Sequence, residues 1–123
     1  MFTTRTSEIF SYIKENPDLS LLVAKTMHVE QLLIQNLERD NIIYLSLRNI
    51  VVVEEHRRTG LFTDILIALE ETNRPILIDD IKNKHLFPFL EKRKYSYYEY
   101  FKNNEKIQCM IKKVWLYNIE QLS

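Results

Sequence analysis

The apolar positions of this chain change their spacing several times over 123 residues, and each change marks an element. Ile9, Phe10 and Ile13 share one side of a helical turn, with Thr6 or Ser7 placed to cap the helix and Pro17 to end it. Val29, Leu32, Leu33 and Leu37 recur at helical spacing and predict a second helix over about residues 28–39. Residues 42–53 are apolar and β-branched, which predicts either one long strand or a hairpin turning at Arg48-Asn49. Phe62, Ile65, Leu66 and Leu69 line one face of a third helix, which Asn73-Arg74-Pro75 breaks. Ile76-Leu77-Ile78 is short and wholly apolar, the pattern of a central and parallel strand. A fourth helix falls within residues 83–92, and Pro88 moves the start of its regular part to about Leu86. Residues 95–101 and 107–117 predict two strands around the polar turn Lys102-Asn103-Asn104-Glu105.

The strand–helix–strand unit in the middle implies a right-handed crossover between parallel strands, and the last two strands imply an antiparallel hairpin. The expected fold is a single mixed α/β domain over residues 1–123. Its parts are a helical region at 1–41, a core at 42–101 and a C-terminal strand at 102–123.

Charge alters this picture only locally. The formal net charge is zero, so no global field argues for nucleic acid or membrane. Residues 1–81 carry 8 basic and 13 acidic side chains, whereas residues 82–123 carry 9 and 4, so the last third either faces something anionic or presents solvated lysines. No apolar run is long enough to span a bilayer, and the N-terminus lacks a signal-peptide layout. A single cysteine, Cys109, excludes an internal disulfide and fits a reducing, cytoplasmic setting. The three histidines match no zinc spacing, Thr59-Gly60 is not followed by the Lys-Ser/Thr of a P-loop, and no serine elbow is present.

The chemistry concentrates at the only glycine. Gly60 stands between the apolar run Ile50-Val51-Val52-Val53 and the third helix, in the segment Arg57-Arg58-Thr59-Gly60-Leu61-Phe62. Without a Cβ, backbone amides can crowd toward a ligand, and the helix start adds unpaired N–H groups and a positive dipole end. Such a junction suits a phosphate, and two arginines beside it add charge.

These residues resemble the signature of the GNAT superfamily of N-acetyltransferases, Gln/Arg-x-x-Gly-x-Gly/Ala between a strand and a helix, and Val52 matches the valine five residues before the signature arginine. A second family signature, an Asn followed by a helix ending in Tyr-Glu-Lys-x-Gly-Phe, finds its register in Asn83 and Leu90-Glu91-Lys92-Arg93-Lys94-Tyr95. The resemblance covers roughly residues 50–101. It implies a GNAT-like mixed sheet with parallel central strands, helices on both faces and a C-terminal antiparallel hairpin. It also implies acetyl-CoA, or another acyl-CoA, as cofactor. Backbone groups of Ile50, Val51 and Val52 would pair with the pantetheine arm, the amides of Arg57, Arg58, Thr59, Gly60, Leu61 and Phe62 would hold the pyrophosphate, and Asn83 would contact the lower arm.

Three positions depart from the family. Phe62 replaces a Gly or Ala, and either turns into the core or narrows the pyrophosphate site. Leu90 stands where a tyrosine often protonates the leaving thiolate, and Ile78 where one branch of the family keeps a glutamate base. A base matters because a lysine-like amine with pKa about 10.4 is neutral in only ~1 molecule in 10³ at pH 7, roughly 4–5 kcal/mol from reactive. Asp79 and Asp80, after the short strand, are the candidate base; their structural alternative is a helix-start role. Tyr95, Tyr97, Tyr98 and Tyr100 are possible substitute acids, with Tyr97 and Tyr98 put forward as the candidates, and alternation along the strand puts Tyr98 and Tyr100 on one face and Tyr95 and Tyr97 on the other.

The resemblance therefore implies transfer of an acetyl group to a primary amine on a protein or small molecule. The alternative is a catalytically inactive GNAT-fold protein that engages a macromolecular partner, which Ile78 and Leu90 favour. A third possibility, nucleic-acid binding, draws only on the basic and aromatic last third.

Overall fold

The first predicted helix forms as α1, Thr4–Glu15, in a computed structural model that describes residues 4–24, 29–52 and 61–113. It ends where expected: Asn16 Nδ2 donates to the Tyr12 carbonyl at 2.8 Å, satisfying one end group just before Pro17. The later elements are β1 (Leu21–Ala24), β2 (Val29–Arg39), β3 (Ile42–Val52), α2 (Leu61–Glu70), β4 (Ile76–Ile78), α3 (Leu86–Lys92), β5 (Ser96–Lys102) and β6 (Glu105–Lys112). The predicted last strand ends at Lys112, with Lys113 outside it, and its remaining predicted residues, 114–117, lie outside the described residues.

The predicted second helix is corrected to strand. Residues 29–39 form β2, which pairs antiparallel with β1 on one side and β3 on the other. Leu32 and Ile34 pack into the main core while Leu37 packs on the opposite side, against the cluster of Tyr44 and Leu77. A strand buried on both faces loses simple alternation, and its apolar residues then mimic helical spacing. The connection to β3 explains the outcome. Asp40 (φ 53°) and Asn41 (φ 66°) form a two-residue turn between the paired Arg39 and Ile42. Both backbones are left-handed, as the favoured hairpin turn requires and as Asp and Asn tolerate. Asn103 (φ 53°) and Asn104 (φ 65°) repeat the device between β5 and β6.

The second alternative for residues 42–53 also closes: β3 is one strand through Val52, not a hairpin at Arg48-Asn49. It carries an irregularity at that place. Leu33 faces Arg48 but Gln31 faces Val51, so β3 has one extra residue there.

The six strands lie in the order β1-β2-β3-β4-β6-β5. Only β3 and β4 are parallel, joined through α2; every other neighbouring pair is antiparallel. The expectation of parallel central strands thus holds for one pair, in a sheet that is mostly antiparallel because hairpins build its two ends. The C-terminal hairpin, β5 with β6, is as expected.

Helices on both faces are not found among the described residues. Ile13 of α1, Ile65, Leu66 and Leu69 of α2 and Leu90 of α3 all join one cluster with Leu45, Leu47, Ile76, Ile78 and Met110. Fully burying each such side chain contributes about 1.5–3 kcal/mol. The opposite face holds Tyr44, Leu77, Ile107 and Cys109, flanked by Leu37, Ile42, Tyr98, Tyr100 and Ile111. No helix among the described residues is long and apolar enough to cross a membrane.

Candidate functional site at the parting of β3 and β4

The parallel pair is short. Leu45, Ser46 and Leu47 face Ile76, Leu77 and Ile78, and the Asp79 N–H donates to the Leu47 carbonyl at 3.0 Å. Beyond that point β3 continues to Val52 against β2 alone, while the chain after β4 turns at Asp80 (φ 51°) and bonds through the Ile81 N–H to the Gln108 carbonyl. Val51 and Val52 are therefore paired on one side only among the described residues, and Ile50 lies in the irregular stretch between Arg48 and Val51. In open sheets, ligands favour the crevice outside the carboxyl ends of parallel strands where the connections diverge.

A polar cluster stands at the divergence, on the face away from the helices. Asp79 is its centre, with a side chain only 1% exposed. Tyr100 donates its hydroxyl to Asp79 Oδ1 at 2.9 Å, and the Cys109 thiol donates to the same oxygen at 3.3 Å. Arg48 Nη2 lies 3.0 Å from Asp79 Oδ2 and donates to the Tyr100 hydroxyl at 3.4 Å. The ion pair is off the hydrogen-bond axis, so Oδ2 has no hydrogen-bond donor among the described residues, and neither has the buried Ser46 hydroxyl an acceptor. Arg39 stacks its guanidinium 4.3 Å from the centre of the Tyr100 ring.

Burial, more than any neighbour, pushes the Cys109 thiol up to about 12. Cys109 is thus a buried proton donor and not a nucleophile. Burial also raises the Tyr100 hydroxyl, and its bond to Asp79 raises it further. Both hydrogens stay on their owners near neutrality and point at a carboxylate that needs them.

Asp80 differs from its neighbour. Its side chain is 31% exposed, it pairs with Lys82 Nζ at 3.1 Å, and it lines a cleft of about 310 Å³ together with Arg48, Lys102, Asn103, Glu105 and Ile107. The two aspartates singled out by sequence are therefore divided in role by access: Asp79 is enclosed, and Asp80 meets the solvent.

The two candidate tyrosines fall elsewhere. Tyr97 lies on the helix-bearing face, with its ring 5.9 Å from that of Phe87 and its hydroxyl bonded to Glu99 (3.1 Å) and Gln108 (2.9 Å). Tyr98 is on the face of the cluster, but its hydroxyl donates to Asp40 at 3.1 Å, at the β2–β3 turn. The predicted division of faces holds, since Tyr98 and Tyr100 are ring neighbours at 6.4 Å while Tyr95 packs in the main core. Sequence reasoning offered Tyr100 as a possible acid without linking it to Asp79, and missed Arg48 and Cys109 as partners. The period-two pattern of β5 places Tyr100 on the face of Tyr98, but the pairing of β6 between β4 and β5 could not be read from local pattern.

Of the cofactor-binding candidates, Arg57, Arg58, Thr59 and Gly60 lie outside the described residues, and Leu61 opens α2. Phe62 turns toward the main core, its ring 6.0 Å from Phe89. Asn83 is exposed. Its side-chain oxygen accepts the His85 N–H at 3.0 Å and its carbonyl accepts the Leu86 N–H at 3.1 Å, so it shapes the entry to α3. Leu90 and Ile78, which stand where the GNAT resemblance would place an acid and a base, are both buried in the main core. Among the described residues no group of three His, Cys, Asp or Glu side chains converges on a metal-sized point. Comparison with protein-family models gives no match, and comparison with curated proteins gives none either.

Proposed function

We propose that the chain is an acetyl-CoA-dependent N-acetyltransferase of GNAT type, acting on a primary amine. The observation that supports this best is the divergence of β3 from β4. Among the described residues it leaves the backbone of Ile50, Val51 and Val52 without a strand on the β4 side, a few residues before the glycine junction that resembles the GNAT pyrophosphate loop. An extended pantetheine arm fits such an edge by the same hydrogen bonds that a neighbouring strand would make. The irregularity of β3 between Arg48 and Val51 frees a backbone group from the ladder at the same place, which suits a donor to a developing oxyanion.

Acetyl-CoA would supply an acetyl thioester: the amine nitrogen bonds to the acyl carbon, the C–S bond breaks, CoA leaves as its thiol, and one proton is released for each ammonium acylated. Within the chain, Asp80 is the group with the access to take that proton, directly or through water, at the mouth of the cleft. Asp79 is too enclosed to meet an amine and instead holds Arg48 and Tyr100 in place. Tyr100 is the hydroxyl that we assign to the thiolate side, with Arg48 beside it to stabilise the charge it would carry. The buried free thiol of Cys109 fits a cytoplasmic setting.

A second reading has its own observation. Leu90 and Ile78 are core residues, so the family's usual acid and base positions have become packing, as in a fold that keeps its frame without chemistry. Calorimetric titration with acetyl-CoA, set beside the Gly60→Trp variant, tests the proposal. Micromolar binding abolished by the substitution, with acetyl transfer to an amine, supports it; absence of binding by the wild-type chain overturns it in favour of a partner-binding role.

A further inference from the structure

The cleft beside Arg48 and Asp80 has two walls of different origin. One is the diverging ends of β3 and β4, which contribute Arg48 and Asp80; the other is the β5–β6 turn, which contributes Lys102, Asn103 and Glu105. Each wall thus carries one cation and one anion. Arg48 is committed to Asp79, and Asp80 to Lys82. Lys102 and Glu105 have no ion-pair partner among the described residues, although they face each other across the turn. At about 310 Å³ the space lies at the small end of ligand pockets, which run from roughly 300 to 1,000 Å³.

We propose that this cleft binds a small zwitterion, a molecule of free amino-acid size that carries both a primary amine and a carboxylate. Its carboxylate meets Lys102 and the guanidinium of Arg48, and its ammonium meets Asp80 and Glu105. The charge pattern selects against the alternatives. A diamine sets a second ammonium against Lys102 and Arg48, and a dicarboxylate without an amine leaves Asp80 and Glu105 unanswered. Like-charge contacts of that kind are what an interface uses to reject wrong partners. A peptide N-terminus has no carboxylate next to its amine, so it satisfies only half of the cleft. As the acyl acceptor, the zwitterion rests on the transfer reading above; as a ligand of this cleft, it does not.

The test uses the full chain without acetyl-CoA. Free amino acids are titrated against ¹⁵N-labelled protein, and the strongest binder is compared with its carboxamide and its decarboxylated amine. The inference expects shifts centred on Arg48, Asp80, Lys102 and Asn103, with both derivatives at least tenfold weaker than the parent. Lys102→Glu, an exposed turn position, is expected to weaken the parent amino acid about tenfold, and Lys102→Arg to retain it. No binding by any amino acid, equal binding of the decarboxylated amine, or shifts centred elsewhere would overturn it. An acetyl-transfer assay separates the two proposals. Amino-acid binding without transfer sinks the acetyltransferase reading and keeps the cleft; transfer to simple amines by a chain that binds no amino acid keeps the transferase and sinks the cleft.

Discussion

The Arg48 guanidinium lies 3.0 Å from Asp79 Oδ2, and the two residues come from neighbouring parallel strands at the place where those strands separate. The pair therefore ties the strand ends together where backbone pairing stops. Breaking a buried pair by removing one partner costs about 3–5 kcal/mol; Arg48 is a quarter exposed, so Arg48→Met is expected to cost about 2–3 kcal/mol. Adding Asp79→Leu removes the stranded carboxylate and is expected to recover part of the loss. Urea unfolding of the two single variants and the double variant gives the coupling, and a strictly additive result would remove the pair from this account.

Leu90 is fully buried among residues of the main core, so a tyrosine introduced there, as the GNAT resemblance would suggest, has no space to act in. Leu90→Tyr is expected to destabilise by about 1–3 kcal/mol through overpacking, and to bring no gain in the proposed acetyl transfer. Thermal unfolding and a transfer assay on the same sample check both halves.

Alkaline pH acts on the opposite face and, through Tyr95, on the main core. The Cys109 thiol, ordinarily near 9.0, is pushed up to about 12 in the fold. Between those values the unfolded chain has lost a proton that the native chain keeps, so stability falls as pH rises from about 9 to about 12 and is constant, as far as this group is concerned, below 9. Tyr44, Tyr95, Tyr98 and Tyr100 are all raised from 10.0, chiefly by burial, and add to the loss in the same direction above pH 10. Urea midpoints from pH 7 to 11 should show this decline, and Cys109→Ala should flatten its first part.

Glu70 gathers three donors at the end of α2. Arg93 Nη2 is 3.0 Å from Oε1, the Tyr95 hydroxyl 2.8 Å from Oε2, and Lys112 Nζ 3.4 Å from Oε2. These residues belong to α2, the turn after α3, the approach to β5, and β6. Glu70→Gln keeps the shape and removes the charge, and is expected to cost about 2 kcal/mol, within the range of charge-assisted hydrogen bonds. Chemical denaturation reads it; a loss under 0.5 kcal/mol would show that the cations are equally content in water.

The elements that formed as expected are those with a single buried face and clear punctuation. Ile65, Leu66 and Leu69 gave α2 its face, and Asn103-Asn104 gave the last hairpin its turn. The failure at residues 28–39 has a physical reason: Leu32 and Leu37 are buried on different faces of a strand, which no helical count detects. The missed signal was Asp40-Asn41, the same two-residue turn chemistry that was read correctly at Asn103-Asn104. At the site, Asp79 and Asp80 were legible from their place after an apolar strand. Their partners Arg48, Tyr100 and Cys109 were not, because they arrive from three other strands whose lateral order is a tertiary property. Arg74 is a further case: it bonds to the Leu19 carbonyl and to Asn36, pinning the loop before β1 to β2, and nothing near it in sequence announces this.

Among the described residues, the three residues of β4, extended by the backbone bonds of Pro75, Asp79 and Ile81, are the link in the ladder between the hairpin of β2 and β3 and the hairpin of β5 and β6. Each hairpin is closed locally by a two-residue turn, but β4 is flanked on both sides by strands distant in sequence. The sheet's cooperativity therefore passes through Ile76, Leu77 and Ile78: if they leave the ladder, two separate halves remain. Amide exchange in the native protein should show it, with the N–H groups of Ile76–Ile78 opening only in global unfolding while those of β1 and β5, at the edges, exchange through smaller openings.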